Sequence, residues 1–450
     1  MSPTHLSRRA FLRLSGVALG GTSLLSACTT GTPITQAAPS AEKHIRFWNT
    51  AYATTDPLDK TKARDQYYIY KAIQRFEAQN PGVKVDMQVM PGSTDMFTAY
   101  RVASIARTGP DVMTLWSGSY LMQFKHYLEP LNHYFTPEES GRIRGWNAVT
   151  EGFTAGQGTI YGVPCSTDSI SAIYYSKKAL AKAGIKTDAD WPHSFDDFLR
   201  MLKQVQSTGI TPLALFDNGY SLFSLDYWIA QVVNGDAGIA DLIAGKRKFA
   251  SPELLEVVQK WQQLAQYTIA GAPTMGTGEA QQLLYQGHAA MMINGPWSID
   301  DMSQVMGNDL GVHKLPDYSN QVSIKNTGIG GSGNGLIVSQ YSQHKEEAVR
   351  FVKFLMSQPE QTTQAETSSS LSNVVDVDMG QITKNPIKRQ LQQWALEPDI
   401  IFWPDNIYPS ELTTELTAQA QLAWTGKSSA QQFLQQLDAK RDQLLAETNA

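Results

Sequence analysis

An α/β protein with more than one lobe is the fold class this sequence predicts, and three observations carry that expectation. The chain runs to 450 residues, more than one core ordinarily serves, since domains cluster at roughly 100–200 residues. Its 42% hydrophobic and 18% charged residues describe a globular chain with a large buried interior. Segments of period two alternate along it with segments of helical period, the pattern of strands joined through helices.

The folded part opens at His44-Ile45-Arg46-Phe47-Trp48, a short strand, and continues through a polar, loop-like stretch from Asn49 to Asp65. Ile69, Ile73 and Phe76 then fall at helical spacing, and Asn80-Pro81-Gly82 stops that helix. Val83 to Val89 alternates apolar and polar residues as a half-buried strand does, and Asp111 to Leu115 reads as the next strand. This order implies largely parallel sheets covered by helices on both faces. Ligands of such sheets sit at the carboxyl ends of strands, which directs attention to the loops after Trp48 and after Leu115. Further along, Ser194 is placed to cap a helix that has Asp197 in its first turn. Ser251-Pro252-Glu253 is read the same way, with proline in the first helical position. Ala348, Phe351, Val352 and Leu355 make an apolar stripe for packing.

The 42 acidic and 37 basic residues leave a net charge of −5. The basic residues are dispersed among acids, so no basic face exists to displace counterions from DNA or RNA, and no nucleic-acid partner is expected. At the N-terminus, Ser7-Arg8-Arg9-Ala10-Phe11-Leu12-Arg13 has the twin-arginine order and precedes a weakly apolar, glycine-rich stretch from Leu14 to Ala27. That stretch is shorter than the ~20 apolar residues a membrane span needs and reads as a signal peptide over residues 1–27. Leu25-Ser26-Ala27-Cys28 resembles a lipobox, which makes Cys28 the expected site of lipidation and the lipid the expected anchor to a membrane. Residues 28–43, rich in Thr, Pro, Ala and Ser, read as a flexible tether. Cys165, the other of the two cysteines, follows a proline in an apolar stretch and reads as a small buried hydrophobe.

Seven segments in order resemble one family. They are Phe76 to Val85, Gly109 to Leu115, Gly158 to Pro164, Ile173 to Gly184, Trp191 to Phe198, Tyr285 to Trp297 and Gly330 to Leu355. Together they are similar to the extracellular solute-binding proteins of the sugar-binding family that includes the maltodextrin-binding proteins. The resemblance implies a two-lobed periplasmic-binding-protein-like fold of type II, with residues 44–167 and 326–359 in one lobe and 168–325 and 360–450 in the other. It also implies a carbohydrate bound in the cleft between lobes and delivered to the permease subunits of an ABC importer, by a monomer on the outer side of a bacterial membrane.

A sugar offers hydroxyls that pair with carboxylates and amides, and C–H faces that lie on aromatic rings. On the resemblance, Trp297 matches a cleft tryptophan and Asp168 an acidic sugar ligand. Asn49, Tyr52 and Trp116 fall in cleft-lining loops, and Trp228 and Trp403 fall where further aromatic platforms occur. The acidic and basic side chains of the maltodextrin-binding pattern are replaced here by Asn49, Ser117 and Ser119. Gly331, beside Gly330, permits either close approach of backbone to ligand or a tight hinge turn. Gly328, Gly330 and Gly333 satisfy GxGxxG, but Leu336-Ile337-Val338 after them reads as a strand where a dinucleotide site needs a helix. The histidines lack metal-ligand spacing, so neither a metal nor a cofactor is expected. Two other readings remain: the same fold binding a non-sugar solute, and a secreted carbohydrate-active enzyme, which would need a catalytic carboxyl pair that no motif supplies.

Overall fold

The computed structural model describes residues 42–55, 61–90, 95–153, 157–186, 188–215, 222–269, 271–368, 370–397 and 399–448. Cys28, the expected signal peptide and most of the expected tether lie outside them. In chain order the strands are β1 Lys43–Asn49, β2 Val83–Val89, β3 Val112–Trp116, β4 Val163–Ser166 and β5 Ala172–Ser176. They continue as β6 Thr211–Leu213, β7 Ala289–Asn294, β8 Leu310–Lys314, β9 Ile329–Gly330, β10 Asn334–Val338 and β11 Ile401–Phe402.

Among the described residues the strands form a five-stranded sheet in the order β2-β1-β3-β10-β4, a four-stranded sheet in the order β6-β7-β5-β8 and a two-stranded pair, β11-β9. β1 lies between β2 and β3 and is parallel to both, and β6 is parallel to β7. The largely parallel arrangement expected from sequence stops there. β10 runs antiparallel to β3 and β4, and β5 runs antiparallel to β7 and β8. Both exceptions are strands that the chain enters from the other sheet: β5 follows β4 across, and β10 returns after β8. A helical crossover within one sheet forces a parallel neighbour, whereas a strand arriving from elsewhere is free of that constraint.

The segments that pass between the sheets lie side by side. Ile170 makes an antiparallel bridge to Gly330; the Asp168 amide donates to the Gly331 carbonyl, and the Gly331 amide to the Ser169 carbonyl, each at 2.8 Å. On the opposite flank β9 pairs in parallel with β11, where the Trp403 amide donates to the Gly330 carbonyl at 3.2 Å. A Cβ at Gly330 would collide with the Ser169 carbonyl, and Gly331 adopts a φ of 105°. Only glycine holds this junction without strain.

Amphipathic helices cover the sheets as their apolar spacing predicts. On the helix Tyr68–Gln79, Ile69, Ile73 and Phe76 are buried, and Asn80 ends it. On Lys345–Leu355, Ala348, Phe351, Val352 and Leu355 are buried. Phe351 meets Phe47 of β1 and Phe76 edge-on at 5.4 and 5.0 Å, an arrangement aromatic rings favour. All six residues of β7 are buried, which fits a strand covered on both faces. Ser194 caps the helix Phe195–Gln206 by accepting from the Asp197 amide. Ser251 does not do so for Pro252–Gln262, although the helix starts where expected.

Near residue 360 the helix Gln358–Thr367 packs beside Tyr68–Gln79. There the Arg75 guanidinium grips buried Glu360 with two hydrogen bonds, of 2.8 and 2.6 Å. Arg75→Ala should therefore strand a carboxylate with little access to water and cost about 1–3 kcal/mol of stability. Urea unfolding measures this; an unchanged midpoint would show the pair to be dispensable.

Candidate functional site

The carboxyl ends of strands from both sheets converge beside that junction. β3 ends in Trp116 and leads to Ser117 and Ser119, β4 leads to Asp168, and β7 leads through Asn294 to Trp297. β11 leads to Trp403 and the short helix Pro404–Ile407, which carries Asp405 and Asn406. The helix Leu222–Val233 contributes Phe223 and Asp226. Neutral hydrogen bonds tie the loop after β3 to the segment after β11: the Asn406 amide donates to Ser117 Oγ at 3.0 Å, and Ser119 Oγ donates to the Tyr408 carbonyl at 2.5 Å.

Three rings gather on one side. Phe223 lies 5.0 Å from Trp403 and 6.2 Å from Trp297, and the two indoles are 6.4 Å apart. Trp297 is 37% exposed, high for so large an apolar ring. Trp403 is only 4% exposed, yet its indole N–H is buried without a hydrogen-bond partner. Trp116 forms a second group, edge-on to Phe97 and to Tyr120 at 5.4 Å each.

Three carboxyls lie on the segments that carry these rings or next to them in charge: Asp226 on the helix of Phe223, Asp405 two residues after Trp403, and Asp168, which feels the Asp405 charge. Burial, and then the nearby Asp405 charge, push Asp168 up to about 7. Burial and the same neighbour raise Asp226 well above the usual carboxylate range, and burial raises Asp405. Asp226 is fully buried with neither carboxyl oxygen hydrogen-bonded, and one Asp405 oxygen and the buried Tyr408 hydroxyl also lack partners. Burial and the charges of Asp226 and Asp405 raise the Tyr408 phenol as well, which places it beside both. Buried polar groups are normally paired, so the unpaired atoms of Asp226, Asp405, Trp403 and Tyr408 make this region a candidate ligand surface.

Trp297 and Trp403 thus share one group of rings, Asp168 lies within reach of the Asp405 charge and is held by Gly331 through its amide, and Trp116 stands at the end of β3. Two expectations need correction. Trp228 is fully buried, donates its indole N–H to the Pro316 carbonyl at 2.9 Å and packs edge-on to Phe195, so it is core and no ligand platform. Asn49 and Tyr52 are also drawn inward. The Asn49 side chain closes the loop by bonding both backbone groups of Tyr52 at 2.8 Å, and the Tyr52 ring packs on Phe47 and Tyr68 in the first sheet's core. Asp226, Asp405, Phe223 and Tyr408 were not foreseen; the one signal was an acid, Asp226, inside the otherwise uncharged and largely apolar Leu222 to Val233. Cys165 is buried and its thiol is pushed up to about 12 by desolvation, which leaves it inert. Among the described residues no three His, Cys, Asp or Glu side chains come together as a metal site, and no helix is long and apolar enough to cross a membrane.

Residues 59–362 match the family model of the bacterial extracellular solute-binding proteins. The chain belongs to that family. Relatives of this solute-binding protein include an uncharacterised ABC transporter extracellular-binding protein of Pyrococcus horikoshii, 23% identical over 82% of this chain and 84% of its own. A maltotriose-binding protein of Pyrococcus abyssi is 24% identical over 64% of this chain and 59% of its own. Among solved structures, a chitin oligosaccharide binding protein superposes with a TM-score of 0.73 at 19% identity, covering 89% of this chain and 98% of the other. These relatives are binding proteins, and the solved structure shares the α/β fold.

The two tryptophans should separate in stability. Trp228→Ala should cost about 3–5 kcal/mol, as large core truncations do. Trp297→Ala, on a ring already open to water, should cost about 1 kcal/mol or less. Denaturant melts of the two variants compare them, and equal losses would place both in the core.

Proposed function

We propose that this solute-binding protein captures a carbohydrate in the cleft between its two sheets and hands it to the permease of an ABC importer, without chemically changing it. The observation that carries this is the pairing of ring faces at Trp297 and Trp403 with unpaired buried polar groups at Asp226, Asp405 and Tyr408. A sugar needs both surfaces at once, because its C–H faces stack and its hydroxyls require donors and acceptors. The names of the maltotriose-binding and chitin oligosaccharide binding relatives support the same ligand class.

The first lobe then comprises residues 44–167 and 326–359 together with the helix Gln358–Thr367, and the second takes 168–325 and the remaining C-terminal chain. Binding across both favours the closed state by the difference in affinity between closed and open forms; such hinge closure is the general behaviour of periplasmic binding proteins. A monomer suffices, since one chain supplies both walls of the cleft. Delivery to a permease requires residence near a membrane, which Cys28 provides as a lipid anchor after export by the twin-arginine signal.

A ligand that binds only the native state stabilises it by about 2.7 kcal/mol at a hundredfold excess over Kd. A panel of mono- and oligosaccharides should thus contain one that raises Tm and is recovered intact; turnover of any of them would favour the enzyme reading. Trp297→Ala should weaken that ligand by roughly thirtyfold, the equivalent of about 2 kcal/mol for an aromatic anchor, and an undiminished affinity would displace Trp297 from the site.

Mass spectrometry of the mature protein should find Cys28 at the N-terminus and acylated. An unmodified N-terminus elsewhere, or membrane association undiminished in Cys28→Ala, would rule out the anchor.

A further inference from the structure

The carboxyls of the cleft outnumber what hydroxyl recognition explains, and their surroundings share one property. Asp168 sits between β4 and β5, Asp226 on the helix Leu222–Val233 and Asp405 on the helix Pro404–Ile407. The titratable groups acting on them are one another, the phenols of Tyr120 and Tyr408 and the Cys165 thiol beside Asp168. Asp236 adds a further acid behind β11, where it accepts from the Phe402 amide at 3.1 Å. Among the described residues no Lys, Arg or His faces these acids.

A carboxylate withdrawn from water without a counter-charge is penalised by several kcal/mol, so such groups protonate or pair. Elsewhere in this chain they pair, as Glu360 does with Arg75 and Glu347 with Lys43. Here three stand together with no such partner, and Asp226 leaves both oxygens unused. Phe223, Trp297 and Trp403 supply ring faces at the same place. Carboxyl oxygens and aromatic faces without a competing cation form the combination that receives an ammonium group, which brings a positive charge and N–H donors.

On the reading that the cleft binds a carbohydrate, we propose that its ligand carries a protonated amine, which Asp226 and Asp405 receive as the counter-charge the protein itself omits. The loops after β1 and β3 carry neutral Asn49, Ser117 and Ser119; Asp226 and Asp405 arrive on helices remote in the chain.

Affinity for such a ligand should depend on pH in a defined sense. The acids hold their protons more tightly than free carboxyls do, so at lower pH protons compete with the ammonium, and binding should strengthen as pH rises through about 6, the value burial gives Asp405, and on through the higher range of Asp226. Calorimetry of the mature protein against matched probes tests the proposal: glucosamine, galactosamine and chitosan oligosaccharides, each beside its hydroxyl and N-acetyl counterparts. In at least one set the amine-bearing sugar should bind about tenfold or more tighter than both counterparts, with protons released on binding. Asp226→Asn should abolish that preference, and thermal melts establish that the variant is folded; Asp405→Asn serves if it is not. A neutral counterpart bound as tightly, or a preference that survives in the folded variants, overturns the proposal and leaves the carbohydrate reading standing. No binding by any probe or its counterparts at millimolar concentration overturns both.

Discussion

The close passage of chain segments between the two sheets is the constraint on which the rest depends. Gly330 is held on one side by the 168–171 segment and on the other by β11, through backbone bonds that leave no room for a side chain. Because the bonds are between main chains, the spacing of these segments is independent of side-chain rotamers. Asp168 and Trp403 each sit at a segment's edge and inherit that fixed spacing. The site is therefore built outward from backbone, with the most constrained groups nearest the junction and the more exposed Trp297 further along.

Much of the fold was legible because periodicity reports burial directly. β1, β2, β3 and the helices Tyr68–Gln79 and Lys345–Leu355 lie where apolar spacing put them. Strand direction was less accessible, since it depends on which sheet the preceding segment came from, and short-range pattern carries no trace of that. The antiparallel placement of β5 and β10 is the result.

At the site, residue type proved a poorer guide than placement. A tryptophan is both a stacking surface and an excellent core filler. Trp228 and Trp297 carry no local mark to tell them apart, beyond Trp228's position in the apolar segment that also holds Asp226. That segment carried a signal in the opposite sense: an acid among Leu, Phe, Tyr, Trp and Ile has to be accounted for, since charged residues are seldom fully buried without a partner. Asn49 illustrates a further ambiguity. An amide at the end of a strand serves a ligand or its own loop equally well, and here both of its polar atoms are spent on Tyr52.

The junction around Gly330 also sets how far each contact group travels when one sheet turns against the other. Displacement in a rotation grows with distance from the axis, so groups beside the fulcrum barely shift while those on long lever arms sweep widely. Asp168 and Trp403, next to the fulcrum, form a floor of nearly constant shape. The Ser117–Asn406 and Ser119–Tyr408 hydrogen bonds link opposite walls and must part when those walls separate. On the proposed closure, a ligand arriving at the open cleft would meet a preassembled floor first, and the walls would add the contacts that retain it.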